Sequence, residues 1–177
     1  FELFGLMTYG YKNRVILPFY IDKEDLNDNL KVDASFMVCK DICVPFDSQY
    51  QIEGEISDLS IHDGRIGKWM ERVPSKDEKA GLKINSVKVT GLAGHQRLIV
   101  DVEAGKALSK ADLLAEGNGT FEFGQPEFKL LDDGTKARFV VPVLSMKKNM
   151  DIKGEVVRFT LIDGKGSAID RTIDTSS

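Results

Sequence analysis

The chain has 177 residues, with 24 Lys plus Arg against 28 Asp plus Glu, a formal net charge of -4 and 42% hydrophobic residues. That length allows one large domain or two small ones at about 100–150 residues each, and a composition near the globular average excludes disorder and collagen-like repeats. The mild acidity argues against nucleic acid as a partner, since phosphate-binding domains are strongly basic, and no run approaches the roughly 20 apolar residues of a membrane-spanning helix.

The chain opens on Phe1-Glu2-Leu3-Phe4-Gly5, with no initiator Met and no basic-then-apolar leader, and so reads as an excised or mature piece. The dominant pattern after that is period two, the signature of strands. Arg14 to Tyr20 is the first strand candidate. Leu30 to Val38 is the second, with Val32, Ala34, Phe36 and Val38 on one face and Lys31, Asp33, Ser35 and Met37 on the other. Tyr50 to Ile56 follows. Asp63 to Val73 breaks the pattern: Ile66, Trp69, Met70 and Val73 fall at helical spacing, which predicts a short helix capped by Asp63, with its stripe packed in a core. Pro74 and the charged stretch Ser75 to Lys79 end it. Strands then resume at Leu82 to Val89, Arg97 to Glu103, Ala137 to Val143 and Glu155 to Ile162, with turns at Gly91 to Gly94, Asp132-Asp133-Gly134 and Asp163-Gly164. Many short strands with such punctuation predict an all-β sandwich architecture. The expected organisation is a first domain over 1–62, a short helix and linker over 63–80, and a second sandwich over 81–177.

The two halves also resemble each other. Phe1-Glu2-Leu3-Phe4-Gly5 resembles Phe121-Glu122-Phe123-Gly124, and Arg14-Val15-Ile16-Leu17-Pro18-Phe19 resembles Arg138-Phe139-Val140-Val141-Pro142-Val143. In that alignment Cys39-Lys40-Asp41-Ile42-Cys43 falls where the second half has Ile162-Asp163-Gly164-Lys165-Gly166. The second copy then reads as a complete sandwich without cysteines. The first reads as incomplete, because nothing precedes Phe1 to match Leu82 to Gly119.

The 2 Cys are too few for a disulfide scaffold, yet they lie within five residues of each other. Cys39 ends an alternating strand. Cys43 precedes Val44-Pro45, and Pro45 cannot donate to a ladder. A turn between two extended arms would bring the Cα atoms near the roughly 4.4–6.8 Å that a disulfide requires. So short a loop constrains the unfolded chain little, which suits a reversible redox bond better than a structural staple. Lys40 favours a thiolate and Asp41 opposes it. Two other readings of the pair stay open. One is a Cu(I) module using both thiolates with Met37 or Met7. The other is a non-catalytic binding or scaffold domain with incidental thiols. His62 and His95 are far apart and in no ligand spacing, and read as surface or packing residues. No nucleophile–base motif, P-loop or GxGxxG is present.

The run Phe36-Met37-Val38-Cys39-Lys40-Asp41-Ile42-Cys43-Val44-Pro45 resembles the active-site segment of the periplasmic N-terminal domain of the DsbD family of thiol:disulfide interchange proteins. Within that family, Val-Cys-x-x-x-Cys-x-Pro is similar to the branch named for suppression of copper sensitivity, ScsB. Phe4-Gly5 to Tyr11 and Val15 to Pro18 match the family's order of an aromatic-Gly loop, a Tyr and a strand ending in Leu-Pro. The match covers about Phe1 to Ile52, and Gly81 to Asp174 more loosely resembles the extra immunoglobulin-like domain of that branch.

The resemblance implies immunoglobulin-like sandwiches in the periplasm, as part of an inner-membrane protein. It implies a protein-disulfide reductase without a cofactor. Electrons would come from a membrane-embedded redox domain of the same parent protein and go to an oxidised thioredoxin-like or disulfide isomerase-like partner. By position, Cys43 would form the mixed disulfide and Cys39 would resolve it. Phe4, with Leu3, stands where the family caps its disulfide with an aromatic residue.

Overall fold

Leu98, Val100 and Val102 alternate with exposed or half-buried neighbours, and so do Ala137, Phe139, Val141 and Val143; these side chains face one core. The computed structural model describes residues 2–3, 6–7, 9–21, 29–40, 42–53, 61–78, 81–145 and 149–176. Residues Phe1–Val15 with Glu71–Ser177 form one unit, and Ile16–Met70 the other.

The first unit opens with a small ladder of β1 (Glu2–Leu3) and β2 (Leu6–Met7). Its main body is a two-sheet sandwich. One sheet runs β5 (Lys83–Thr90), β6 (Arg97–Glu103), β10 (Lys136–Ser145), with β10 continued on its far side by β9 (Glu127–Leu131) and β8 (Phe121–Phe123). The other runs β12 (Ala168–Asp174), β11 (Val156–Ile162), β7 (Asp112–Glu116). Taken in chain order, β5-β6-β10-β9 facing β7-β11-β12 is the ABED/CFG arrangement of an immunoglobulin-like sandwich. All pairings between these strands are antiparallel. The fully buried core joins Leu98, Val100, Phe139 and Val141 of one sheet to Leu113, Phe159, Leu161 and Ile169 of the other. The edge of β12 is partly covered: the Ser75 N–H donates to the Ala168 carbonyl, and the Asp170 N–H donates to the Ser75 carbonyl.

The expected turns close these hairpins. Asp163 accepts hydrogen bonds from the Lys165 and Ser167 N–H groups at 2.7 and 2.9 Å. Gly164 has φ +71 and a Cβ there would lie 2.2 Å from the Lys110 carbonyl oxygen, so glycine is required.

Among its described residues the second unit holds one long hairpin and the helix. β3 (Asn29–Cys39) pairs antiparallel with β4 (Cys43–Glu53) in unbroken register from Asn29↔Glu53 to Cys39↔Cys43. Three sequence expectations change here. Arg14 to Tyr20 is a near-continuous apolar run but forms no strand, because no described residue pairs with it, and Leu17, Phe19 and Tyr20 are exposed. The strand expected over Tyr50 to Ile56 is the end of β4, and residues 54–56 lie outside the described residues. The helix α1 (Asp63–Met70) forms, but the His62 carbonyl accepts from the Arg65 and Ile66 N–H groups, so His62 holds the cap position and Asp63 sits in the first turn. Its stripe is not a core face: α1 has no buried residue, Ile66 and Val73 are exposed, and Trp69 and Met70 are half-buried.

Candidate active site

Two physical facts place the cysteines. Antiparallel strands set residues directly opposite in register, and side chains alternate between the two faces. In β3–β4 the paired residue numbers have the same parity, so every even-numbered pair shares one face and every odd-numbered pair the other. The even face is mainly apolar: Leu30 and Ile52, Val32 and Tyr50, Phe36 and Phe46, Val38 and Val44, with Ala34 and Ser48 between them. The rings of Phe36 and Phe46 stack there at 5.8 Å. The odd face is polar: Lys31 and Gln51, Asp33 and Gln49, and Ser35 and Asp47, whose hydroxyl and carboxylate hydrogen-bond at 2.7 Å.

The last odd pair is Cys39 and Cys43, joined by a disulfide with Cα atoms 4.0 Å apart. That separation is slightly shorter than the expected range and is nearest to that of a non-hydrogen-bonded pair, the type whose side chains approach most closely. Both cysteines are half-buried. Two residues back on the same face stand Met37 and Pro45. This pair is also of the non-hydrogen-bonded type, so the Pro45 nitrogen points away from β3 and its missing N–H costs the ladder nothing. The turn itself is held by a hydrogen bond from the Lys40 N–H to the Ile42 carbonyl, 3.1 Å; Asp41, expected to oppose a thiolate, lies outside the described residues.

The structure therefore brings together Cys39, Cys43, Met37 and Pro45. Sequence reasoning named Met37 as a soft donor near the thiols but missed Pro45 as a neighbour of the sulfurs on the same face, although counting by twos from Cys43 finds it. The shallow hollow next to the turn belongs to the opposite face: Val38, Lys40, Ile42, Val44 and Phe46 line it. Leu3 is in β1 and belongs to the other unit, and Phe4 lies outside the described residues. Met7, the alternative soft donor, lies in β2, also in the other unit. His62 and His95 are both exposed. Among the described residues no group of three or more His, Cys, Asp or Glu is set to hold a metal ion. No helix among them is long and apolar enough to cross a membrane.

Residues 72–175 match the family model described as Domain of unknown function (DUF8393). The chain belongs to this family. The DUF8393 match covers the immunoglobulin-like sandwich. Residues 1–53, ending at the last residue of β4, match the model described as Thiol:disulfide interchange protein DsbD, N-terminal. The disulfide-bonded pair lies inside that match and fits a thiol:disulfide interchange domain. A search of the curated proteins finds no match.

Proposed function

We propose that the chain is a periplasmic thiol:disulfide interchange module of an inner-membrane protein. It relays electrons from a membrane-embedded redox domain of the same parent to an oxidised thioredoxin-like or disulfide isomerase-like partner. The observation that carries this reading is the single cross-strand disulfide at the tip of a hairpin that matches the DsbD N-terminal model. A bond closing so short a loop adds little stability, and its place at the end of an open hairpin gives a second sulfur access.

In the working direction, Cys43 as thiolate attacks a partner disulfide and forms the mixed disulfide. Cys39 then displaces the partner, leaving Cys39–Cys43 oxidised and the partner reduced. Phe4, with Leu3, caps the pair between encounters, and the hairpin belongs to the ScsB branch. On this reading residues 1–62 are part of the redox domain, 63–80 link, and 81–177 hold the second domain. The test is trapping: Cys39→Ser, which keeps the attacking thiol, accumulates a mixed disulfide with an oxidised thioredoxin, and Cys43→Ser does not. Equal trapping by both variants would overturn the assignment of roles, and trapping by neither would overturn the relay.

One observation favours a second reading, a Cu(I) site in copper tolerance: Met37 shares the face of the two cysteines, so a thioether stands one same-face step from the thiols of the reduced pair. Stoichiometric Cu(I) uptake by the reduced chain, lost in Cys39→Ser, would support it.

A further inference from the structure

The two apolar residues beside the disulfide call for a different explanation from the apolar residues on the other face of the hairpin. The even face is apolar on every rung but Ala34 and Ser48, the pattern of a sandwich layer. The odd face is polar from Lys31 and Gln51 up to Ser35 and Asp47, as a solvated face should be. Only its last rungs depart from that pattern: Met37, 68% exposed, stands opposite Pro45, also exposed, and beyond them is the disulfide. An apolar pair on an otherwise polar face is the informative kind of exposure.

Resting on the proposed interchange activity, we propose that Met37 and Pro45 are the docking platform for the redox partner, and that this partner is a protein whose reactive disulfide lies flush in an apolar surface. The reaction geometry selects this occupant. A sulfur that bonds to Cys43 must approach the odd face, because both Sγ atoms project there. Met37 and Pro45 lie one same-face step away, about 7 Å along the strands, so any protein surface around the incoming sulfur covers them. Met is suited to such a contact, since its unbranched thioether adapts to more than one partner surface. The next rung, Ser35 hydrogen-bonded to Asp47, sets the polar rim of the footprint. A small disulfide covers neither residue.

The exchange is balanced. The Cys39 and Cys43 thiols lose two electrons and two protons and become the disulfide, while the partner disulfide gains both and becomes two thiols.

The test compares two oxidants on the reduced full chain: oxidised thioredoxin as the protein probe and oxidised glutathione as the small one. Met37→Ser is expected to slow exchange with thioredoxin about tenfold, the size of truncating a central interface side chain. It should leave exchange with glutathione unchanged, and Met37→Leu should restore the protein rate. Ile42→Ser, an exposed change on the opposite face, should leave both rates unchanged. A thiol count before and after oxidation confirms that each variant still forms its disulfide. If Met37→Ser slows both oxidants equally, or neither, the platform is overturned while the interchange activity stands. If Ile42→Ser slows thioredoxin and Met37→Ser does not, the partner docks on the other face. If the unaltered chain exchanges with neither oxidant, the activity and the platform fall together.

Discussion

Phe36 and Phe46 stack face to face, 5.8 Å apart and 15° from parallel, on the side of the β3–β4 hairpin opposite the disulfide. The pair braces the strands three rungs from the sulfurs, at Cys39↔Cys43, Val38↔Val44, Met37↔Pro45 and then Phe36↔Phe46. A stacked aromatic pair contributes about 0.5–1.5 kcal/mol beyond the area it buries. A double-mutant cycle of Phe36→Ala and Phe46→Ala should return a coupling of that size in the opening free energy of the hairpin amides, measured by native-state hydrogen exchange. Strict additivity would show that the stack contributes nothing.

The disulfide should matter to chemistry and little to the fold. The chain-entropy relation gives about 2 kcal/mol for a five-residue closed loop, near the low end for disulfides. The buried core cluster found among the described residues runs from Leu82 to Ile169, within the sandwich. Reducing agent should therefore leave the calorimetric unfolding temperature of the DUF8393 sandwich unchanged while raising hydrogen exchange only around the turn. A fall of several degrees in the main transition would show that the bond is structural.

Gln96 is 6% exposed. Its side-chain amide donates to Asp151 Oδ1 at 2.7 Å, and its carbonyl oxygen accepts from the Ile152 N–H at 2.9 Å. This one side chain ties the loop before β6 to the loop before β11. Gln96→Ala leaves the buried Ile152 N–H without its partner and should cost about 1–3 kcal/mol, read as a shift in denaturant midpoint with an unchanged slope. A change below about 0.5 kcal/mol, the range of ordinary surface substitutions, would mean that water replaces the side chain.

Acid should destabilise the sandwich over a defined range. The Arg138 guanidinium, hydrogen-bonded at 2.7 Å, holds the Asp101 carboxyl below its ordinary value. The Gln96 side chain and the Lys153 N–H do the same for Asp151. For Asp163, burial pushes upward, but the N–H groups of Lys165 and Ser167 outweigh it and the carboxyl is lowered. A carboxyl whose folded pKa lies below its unfolded value stabilises the fold fully above the unfolded value, about 3.9 for Asp. That stabilisation is lost as pH falls through the folded value. The melting temperature should thus hold from pH 7 to about 5 and drop below about 4. Asp101→Asn should make that drop shallower; an identical acid profile would contradict the role of the Arg138 pair.

How far these features could be read in the chain depends on local pattern. β6, β10 and β11 alternate strictly because each has one face on the core, so Leu98, Val100 and Val102 announce their strand. β9 carries four exposed residues in five, and β12 mixes Asp170, Arg171 and Thr172 with Ile169, so neither shows a period. The reverse failure is Arg14 to Tyr20, where a strand-sized apolar run is present but a strand also needs a neighbour. The cysteine pair was legible from spacing alone. Alternation along β3 alone sets Met37 on the face of Cys39, but which β4 residues stand opposite needed the register, because a slip of one residue would have set Val44 rather than Cys43 opposite Cys39. A side-chain rule points to Asp63 as the cap of α1, whereas the helical hydrogen bonding begins at a His62 carbonyl to which such a rule is blind.

The most direct measurement of the central claim is a redox titration of the full chain in glutathione buffers, with free thiols counted at each potential. The account predicts one reversible two-electron transition, with the thiol ratio changing tenfold per roughly 30 mV. The transition should involve Cys39 and Cys43 alone and disappear in Cys43→Ser. A pair that stays reduced at every potential, or a bond too stable to be reduced by any protein dithiol, would contradict it.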